Sequence, residues 1–397
     1  MYDELSTHSV GYEVPRPTER PMRAQDQVEA IVADVLVIEK QLTRTFPPGT
    51  VVYIGRLQRD SEAAFAHLDE HLAPLDLRAQ LSKEGADLQS VTILRGRFAP
   101  RTRPIWLNVV LLVLTVFSTM MAGAIVGGEI DNVDQLFSLE ILRGLPYALS
   151  VLLILGAHEL GHYFAARHHQ VSVTLPYFIP FPPLLGFGFG TLGAFIQLRE
   201  PMRNRKQLFD VGVAGPLAGL VFAVPILMIG VATAEVNTLP TEAECEAGEG
   251  PCGYILEGNS LLYATTKFIF HGDWLPNSVE DMTINQLSFA GWTGLFVTGL
   301  NLLPVGQLDG GHVLYSLLGK TARRLYLPAL LLMLGLVLFV NSGWLLWLVL
   351  LTLFGRVHAV PMDDITPLDN GRRALGIFAL AVFVLVFVPS PITIVNF

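Results

Sequence analysis

Charge is scarce in this chain: of 397 residues only 15% are Asp, Glu, Lys or Arg, whereas 51% are hydrophobic. Soluble domains carry roughly 25% charged residues, so an ordinary soluble protein is excluded. The mean hydropathy of +0.48 says the same. Basic side chains are scarcer than acidic ones, 26 against 35, and the net charge of -9 excludes a nucleic-acid partner, which selects basic faces. Two cysteines, Cys245 and Cys252, are too few for a disulfide framework or a four-thiolate zinc site. The ~10-residue alternating segments of a transmembrane β-barrel are missing too. Met1 to Arg20 holds several acids and no apolar core, unlike a signal peptide or an Arg-rich transit peptide. The expected location is therefore a prokaryotic plasma membrane rather than a plastid membrane, as a multi-pass integral protein inserted by its first apolar helix.

What the sequence does contain is long apolar runs: Ile105 to Val126, Val211 to Ala234, Met282 to Leu308, Leu325 to Gly355 and Ala374 to the C-terminus. Each exceeds the ~20 residues a spanning helix needs. Helices are expected near 105–127, 144–167, 209–233, 286–308, 325–340, 343–357 and 373–395, the long fifth run breaking at Asn341-Ser342-Gly343. The fold class is a mainly α polytopic membrane protein with about seven transmembrane helices and a small N-terminal α/β soluble domain. Residues 1–100 carry 26 charged side chains and the other 297 carry 35, which marks the boundary between the two. The expected domains are a flexible tail over 1–23, an α/β domain over 24–100 and the membrane domain over 101–397.

Within 24–100, Val28, Ile31, Val32, Val35, Ile38 and Leu42 recur at helical spacing, and Ser61 to Leu72 reads as a second helix. Val51 to Ile54 and Val91 to Leu94 read as strands, while Leu75 to Asp87 fits either state. No catalytic constellation is visible there, and a regulatory or docking module is the plain reading.

Sidedness follows the Lys/Arg bias. Arg95, Arg97, Arg101 and Arg103 precede the first span, Arg199, Arg203, Arg205 and Lys206 follow the second, and Lys320, Arg323 and Arg324 follow the fourth. By contrast 234–285 holds nine acids and one lysine, and 128–142 four acids and neither Lys nor Arg. Those two loops face out and the N-terminal domain faces the cytosol. Cys245 and Cys252 then lie in an exported loop, where a disulfide is permitted and two unpaired thiols remain the alternative.

The second span contains Gly156-Ala157-His158-Glu159-Leu160-Gly161-His162. Two histidines four apart share a helix face, suited to one Zn²⁺, and Glu159 sits beside the water such a metal activates. Ionisable groups inside an apolar span are costly, and three within five residues mark a site; buried histidines satisfied by neighbouring helices are the bland alternative. Asp309, placed near the cytosolic end of the fourth span, is the best third ligand, with His312 a rival. His168, His169, His271 and His358 read as interfacial or loop residues. His158 lies about 13 Å from the inner end of its helix at 1.5 Å per residue, a depth Asp309 can share.

Between Val171 and Gln197, Pro176, Pro180, Pro182 and Pro183 forbid a spanning helix although apolar side chains dominate. A re-entrant loop or hairpin fits. A strand edge over Gly193 to Leu198 could pair with a substrate strand, which makes Gly193 and Phe195 accessory substrate-binding candidates. A plug that seals the bundle is the alternative.

These motifs together resemble the site-2 proteases, intramembrane zinc metalloproteases, and more closely their plastid and cyanobacterial branch lacking a PDZ domain. The resemblance covers about 145–320. It rests on His158/Glu159/His162, Pro176-Tyr177-Phe178-Ile179-Pro180-Phe181-Pro182, Gly190 to Phe195, Gly212 to Gly219, and Asn301, Pro304, Asp309 and Gly310. Val51 to Gln58 is similar to a Gly-Asn-Leu-Arg segment of the plastid members, with Arg56 and Gln58 replacing two of its four residues. The resemblance implies that His158, His162 and Asp309 bind Zn²⁺, that Glu159 activates water, and that Asn301 and Pro304 lie beside the scissile peptide. The implied function is hydrolysis of membrane-embedded, single-pass protein substrates within the lipid bilayer. Alternatives are a non-proteolytic zinc-binding membrane chaperone or a metal transporter, which would need further intramembrane acids, and a protease of prenylated C-termini, whose downstream ligand Glu is not visible.

Overall fold

A computed structural model describes residues 20–44, 50–85, 87–97, 104–128, 135, 137–183, 188–247, 252–357 and 359–396. The chain divides into two compact units, Met1–Arg97 and Phe98–Phe397. The greater part of the expected tail over 1–23, together with Arg101, Arg103 and His358, lies outside the described residues.

The first unit runs α1 (Arg20–Ala33), β1 (Leu36–Arg44), β2 (Thr50–Leu57), α2 (Ser61–Leu72), β3 (Leu77–Glu84) and β4 (Leu88–Arg95). Its four strands form one antiparallel sheet in the order β1-β2-β4-β3. Val32 and Val35 with Ala64, Leu68 and Leu72 are buried along with Tyr53, Leu81 and Val91, which the register sets side by side on one face of the sheet. Asp60 caps α2 by accepting the Glu62 amide.

Two expectations change here. The helix expected through Leu42 stops at Ala33, and Leu36 onward is strand paired with β2. Val35, Val37 and Ile38 are β-branched and lose rotamer freedom in a helix, so the ladder wins once β2 offers a partner. Within 75–87, ambiguous by pattern, Leu77–Glu84 is strand β3, paired with β4, and Leu75 closes a 3-10 turn. Helix α1 also begins at Arg20, inside the segment expected to be tail.

The second unit begins with α3 (Trp106–Val126) and α4 (Leu145–His168), followed by a hairpin of β5 (Tyr177–Pro180) and β6 (Thr191–Phe195). Next come α5 (Arg205–Ala232), β7 (Val236–Thr238), α6 (Glu242–Ala247), β8 (Gly253–Glu257), α7 (Leu261–His271) and β9 (Glu280–Met282). The chain continues through α8 (Gln286–Asn301), α9 (Asp309–Leu318), α10 (Tyr326–Phe339), α11 (Leu345–Phe354), α12 (Asn370–Val386) and β10 (Ile392–Asn396). The proline-rich segment therefore forms the hairpin that its composition allowed. Tyr147 on α4 donates its hydroxyl to the Phe189 carbonyl at 2.8 Å, and Asn108 on α3 donates to the Leu175 and Pro176 carbonyls, so two helices hold the hairpin.

Among the described residues four segments are long and apolar enough to cross a membrane, Trp106–Val126, Leu139–His168, Arg205–Ala232 and Asp309–Phe339, against the seven expected. The difference is instructive at α8. Eleven of its 16 residues are buried and none is exposed, with Trp292 and Leu295 in the main core, yet it ends at Asn301. Pro304 lacks the N–H a continuing helix needs, and Gly306 adopts φ +64. Residues 302–308 are consequently non-helical, and Asp309 opens α9 instead of closing the preceding span.

Between α5 and α8 the acidic segment folds into a small cap. Strands β7 and β9 pair, β8 pairs with β10, and Cys245 and Cys252 are disulfide-bonded.

Candidate metal centre

Helix α4 presents His158, Glu159 and His162 inward, all three buried. One helical turn separates the two histidines, so their rings rise one above the other on a single face. Asp309, at the first position of α9, reaches the same point: its Oδ2 lies 3.2 Å from both His158 Nε2 and His162 Nε2. The two Nε2 atoms are 3.2 Å apart. Among the described residues, His158, His162 and Asp309 form the cluster able to hold an ion.

The donor set suits a tetrahedral ion, since arms of 2.0–2.1 Å span edges of about 3.3 Å. The nitrogen of each ring available for a metal depends on what the other one does. His162 Nδ1 donates to the Val211 carbonyl at 2.7 Å, which leaves Nε2 free to bind. Glu159 Oε1 stands 4.0 Å from His158 Nε2, beside the ligand set and not in it. Asn301 Nδ2 lies 3.2 Å from the same Nε2.

Helix α5 makes the room. A Cβ on Gly215 would run into the His162 ring, and one on Gly219 would sit 3.3 Å from His158 Cβ. The Gly212 to Gly219 stretch, which entered the sequence reading only through resemblance, thus has a steric purpose. Val211 had no signal in the sequence, because its contribution is a backbone carbonyl.

A cavity of about 210 Å³ opens on the cluster and is lined by Ala194, Phe195 and Ile196 of the hairpin, with Asn301, Gln307 and His312. His312 lines the cavity but lies outside the ligand cluster, so the rival third ligand is not brought to the other two. A second, more apolar cavity of about 260 Å³ includes Gly193, Ala194, Asn301, Phe296 and Trp344. Gly193 and Phe195 therefore face different cavities, and Ala194 and Asn301 border both. Among the described residues β6 pairs with β5 alone in its sheet. Pro304 lines neither cavity and shapes the site by ending α8. His169 pairs with Asp210 at 2.9 Å, and His271 contacts the Val231 carbonyl at 3.1 Å, so both are structural.

Near the start of α5, Arg372 grips Asp210 with two donors at 2.7 Å, and Arg205 pairs with Asp364 at 2.9 Å. Tyr315 of α9 donates to Asp364 at 3.0 Å. The two bonds to Asp364 fix α9, hence Asp309, against α5, hence Val211, and those of Arg372 fix α12 to α5.

Comparison with known proteins gives an independent result. Residues 146–340 match the family model described as peptidase family M50. The chain is 29% identical over 307 residues to the probable zinc metalloprotease EGY2, chloroplastic, of Arabidopsis thaliana, covering 76% of this chain and 52% of the relative. It is 28% identical over 405 residues to the probable zinc metalloprotease EGY1, chloroplastic, of Oryza sativa subsp. japonica, covering 90% and 68%. The probable zinc metallopeptidase EGY3, chloroplastic, of Arabidopsis thaliana matches at 27% over 285 residues, 68% of this chain and 47% of the relative. The chain thus spans between about half and two thirds of the length of these relatives. No solved structure matches it.

Proposed function

Because residues 146–340 belong to peptidase family M50, the site-2 protease family, we propose that this membrane protein is an intramembrane zinc endopeptidase acting on membrane-embedded, single-pass substrates. One observation carries the reading: three donor atoms from two apolar helices meet at 3.2 Å beside a buried glutamate. A zinc ion held by His158, His162 and Asp309 would supply Lewis acidity to the peptide carbonyl and to the attacking water.

Glu159 accepts the proton of that water at its carboxylate and returns it to the leaving amine. Asn301, at the border of both cavities, holds the substrate backbone near His158. The free edge of β6, with Gly193 and Phe195, receives the substrate as an added strand, a sequence-tolerant mode of capture. A helical substrate hides its carbonyls in its own ladder, so it must unwind first, and helix-breaking residues favour cleavage.

Sidedness is part of the proposal. In the second unit Arg199, Arg203, Arg205, Lys206, Lys320, Arg323 and Arg324 flank one set of helix ends, while the acidic 234–285 joins the opposite ends of α5 and α8. The positive-inside rule puts the former, and the first unit, in the cytosol or its equivalent. The relatives compared are chloroplastic by name, so they lend no support to a prokaryotic over a plastid membrane. A transporter needs ligands spaced along a path, and among the described residues one such cluster is found.

The test is a proteomic comparison of membranes carrying the wild-type protein with membranes carrying Glu159→Gln. Single-pass proteins should accumulate uncut in the variant. Identical membrane proteomes would contradict the proposal.

A further inference from the structure

Helix α7 is amphipathic the wrong way round for a soluble loop. Its buried face is polar: Tyr263, Thr266 and Lys267 point inward. Lys267, 0% exposed, is held by Glu257 at 2.8 Å and Asp281 at 3.1 Å, and Tyr263 donates to Glu257 at 2.8 Å. Burial, and then the Glu257 charge, raise the Tyr263 pKa well above the usual tyrosine value. The opposite face holds Leu261, Phe268 and Ile269, 58%, 40% and 66% exposed, and Trp274 just beyond is 60% exposed and stacks on Phe268.

Over Leu261–His271 that outward face carries no charge, and its polar Thr265 returns its hydroxyl to the Leu261 carbonyl at 2.7 Å; the exposed Asp273 lies past the helix end, next to Trp274. Nothing on it asks for water or for a hydrogen-bonding partner. The position of α7 says what it meets. His271 contacts the carbonyl of Val231, in the last turn of the spanning helix α5, so α7 lies level with the end of that span. It packs against α5 and α12, whose nearby outward residues Met228, Ile229, Val384 and Leu385 are themselves exposed apolar side chains. The apolar surface of α7 continues the lipid-facing surface of the bundle at the depth where tryptophan gathers.

We propose that α7 is an interfacial helix. Leu261, Phe268, Ile269 and Trp274 sit in the boundary between headgroups and acyl chains at the membrane face where α5 ends, while Lys267 turns inward to tie α7 to β8 and β9. The cap is thereby anchored to lipid as well as to the bundle, and this holds whether or not the protein cleaves peptides.

The test uses the full chain in phosphatidylcholine–phosphatidylglycerol vesicles, with a nitroxide label on Ile269→Cys and a control label on Thr238→Cys in the exposed strand β7. Collision with dissolved oxygen and with a water-soluble nickel chelate is read by spin relaxation. The proposal expects a higher oxygen-to-nickel ratio at 269 than at 238. Equal ratios would mean that α7 faces water, and exclusion of both relaxants from 269 would mean that protein covers it; either result overturns the proposal. Leu261→Cys, on the same face, gives an independent reading if the first variant fails to fold.

Discussion

His162 Nδ1 donates to the backbone carbonyl of Val211 at 2.7 Å, and this bond joins the helix that carries both candidate histidine ligands to the helix packed against α9. It fixes the ring's tautomer without spending a side chain. The site is therefore as much a property of how α4 meets α5 as of the motif on α4.

That packing is tight at Gly215, where any Cβ would run into the His162 ring. Gly215→Ala should push the ring off the Val211 carbonyl and lower bound zinc by an order of magnitude or more, with an overpacking cost of about 1–3 kcal/mol. Gly219→Ala, whose Cβ would meet His158 Cβ at 3.3 Å, should be milder. Zinc per purified chain at fixed free zinc checks both, and equal retention in the two variants contradicts the steric account.

Asp309→Ala should lose most of the zinc, because no other carboxylate reaches the two Nε2 atoms among the described residues. His312→Ala should keep it. Metal analysis of the two variants decides the third ligand, and the opposite pattern reassigns it to His312.

Lys267→Met leaves Glu257 and Asp281 buried without their cation, a change worth about 3–5 kcal/mol. The cap should loosen, so limited proteolysis between 235 and 282 should speed up while zinc content stays near wild type. Unchanged proteolysis would mean that the ion triad does not hold the cap.

Sidedness can be read by cysteine labelling in intact cells or organelles. A probe confined to the outside should modify a cysteine placed at Thr241 and leave one at the exposed Ala63 untouched, with Cys245 and Cys252 occupied by their disulfide. The reverse pattern inverts the orientation and puts the metal centre near the other compartment.

The pair His158 and His162 could be read from the sequence because helical periodicity alone puts residues four apart on one face. The identity of Asp309 was legible for a similar reason, as a carboxylate in an apolar context. Its place was not: an uncharged run over 286–308 looks like one span, and only the backbone geometry at Pro304 and Gly306 shows that Asp309 starts a new helix. The β1 strand was missed because its residues repeat at helical spacing as well as at strand spacing, and the pairing with β2 arbitrates. Helix α7 was hidden for the opposite reason. Its lone charge is buried and its apolar residues are exposed, so the inward-apolar rule misreads it.

The central claim is that metal binding and proton transfer are divided between neighbours on α4: His158 and His162 hold zinc with Asp309, and Glu159 moves the proton. Glu159→Gln keeps the side chain's size but cannot accept a proton at neutral pH. Measured on the same reconstituted sample, zinc content should equal wild type while cleavage of a membrane-embedded peptide falls by roughly 10²–10⁴-fold. Cleavage at the wild-type rate would show that Glu159 is not the base, and loss of zinc would show that it is a ligand.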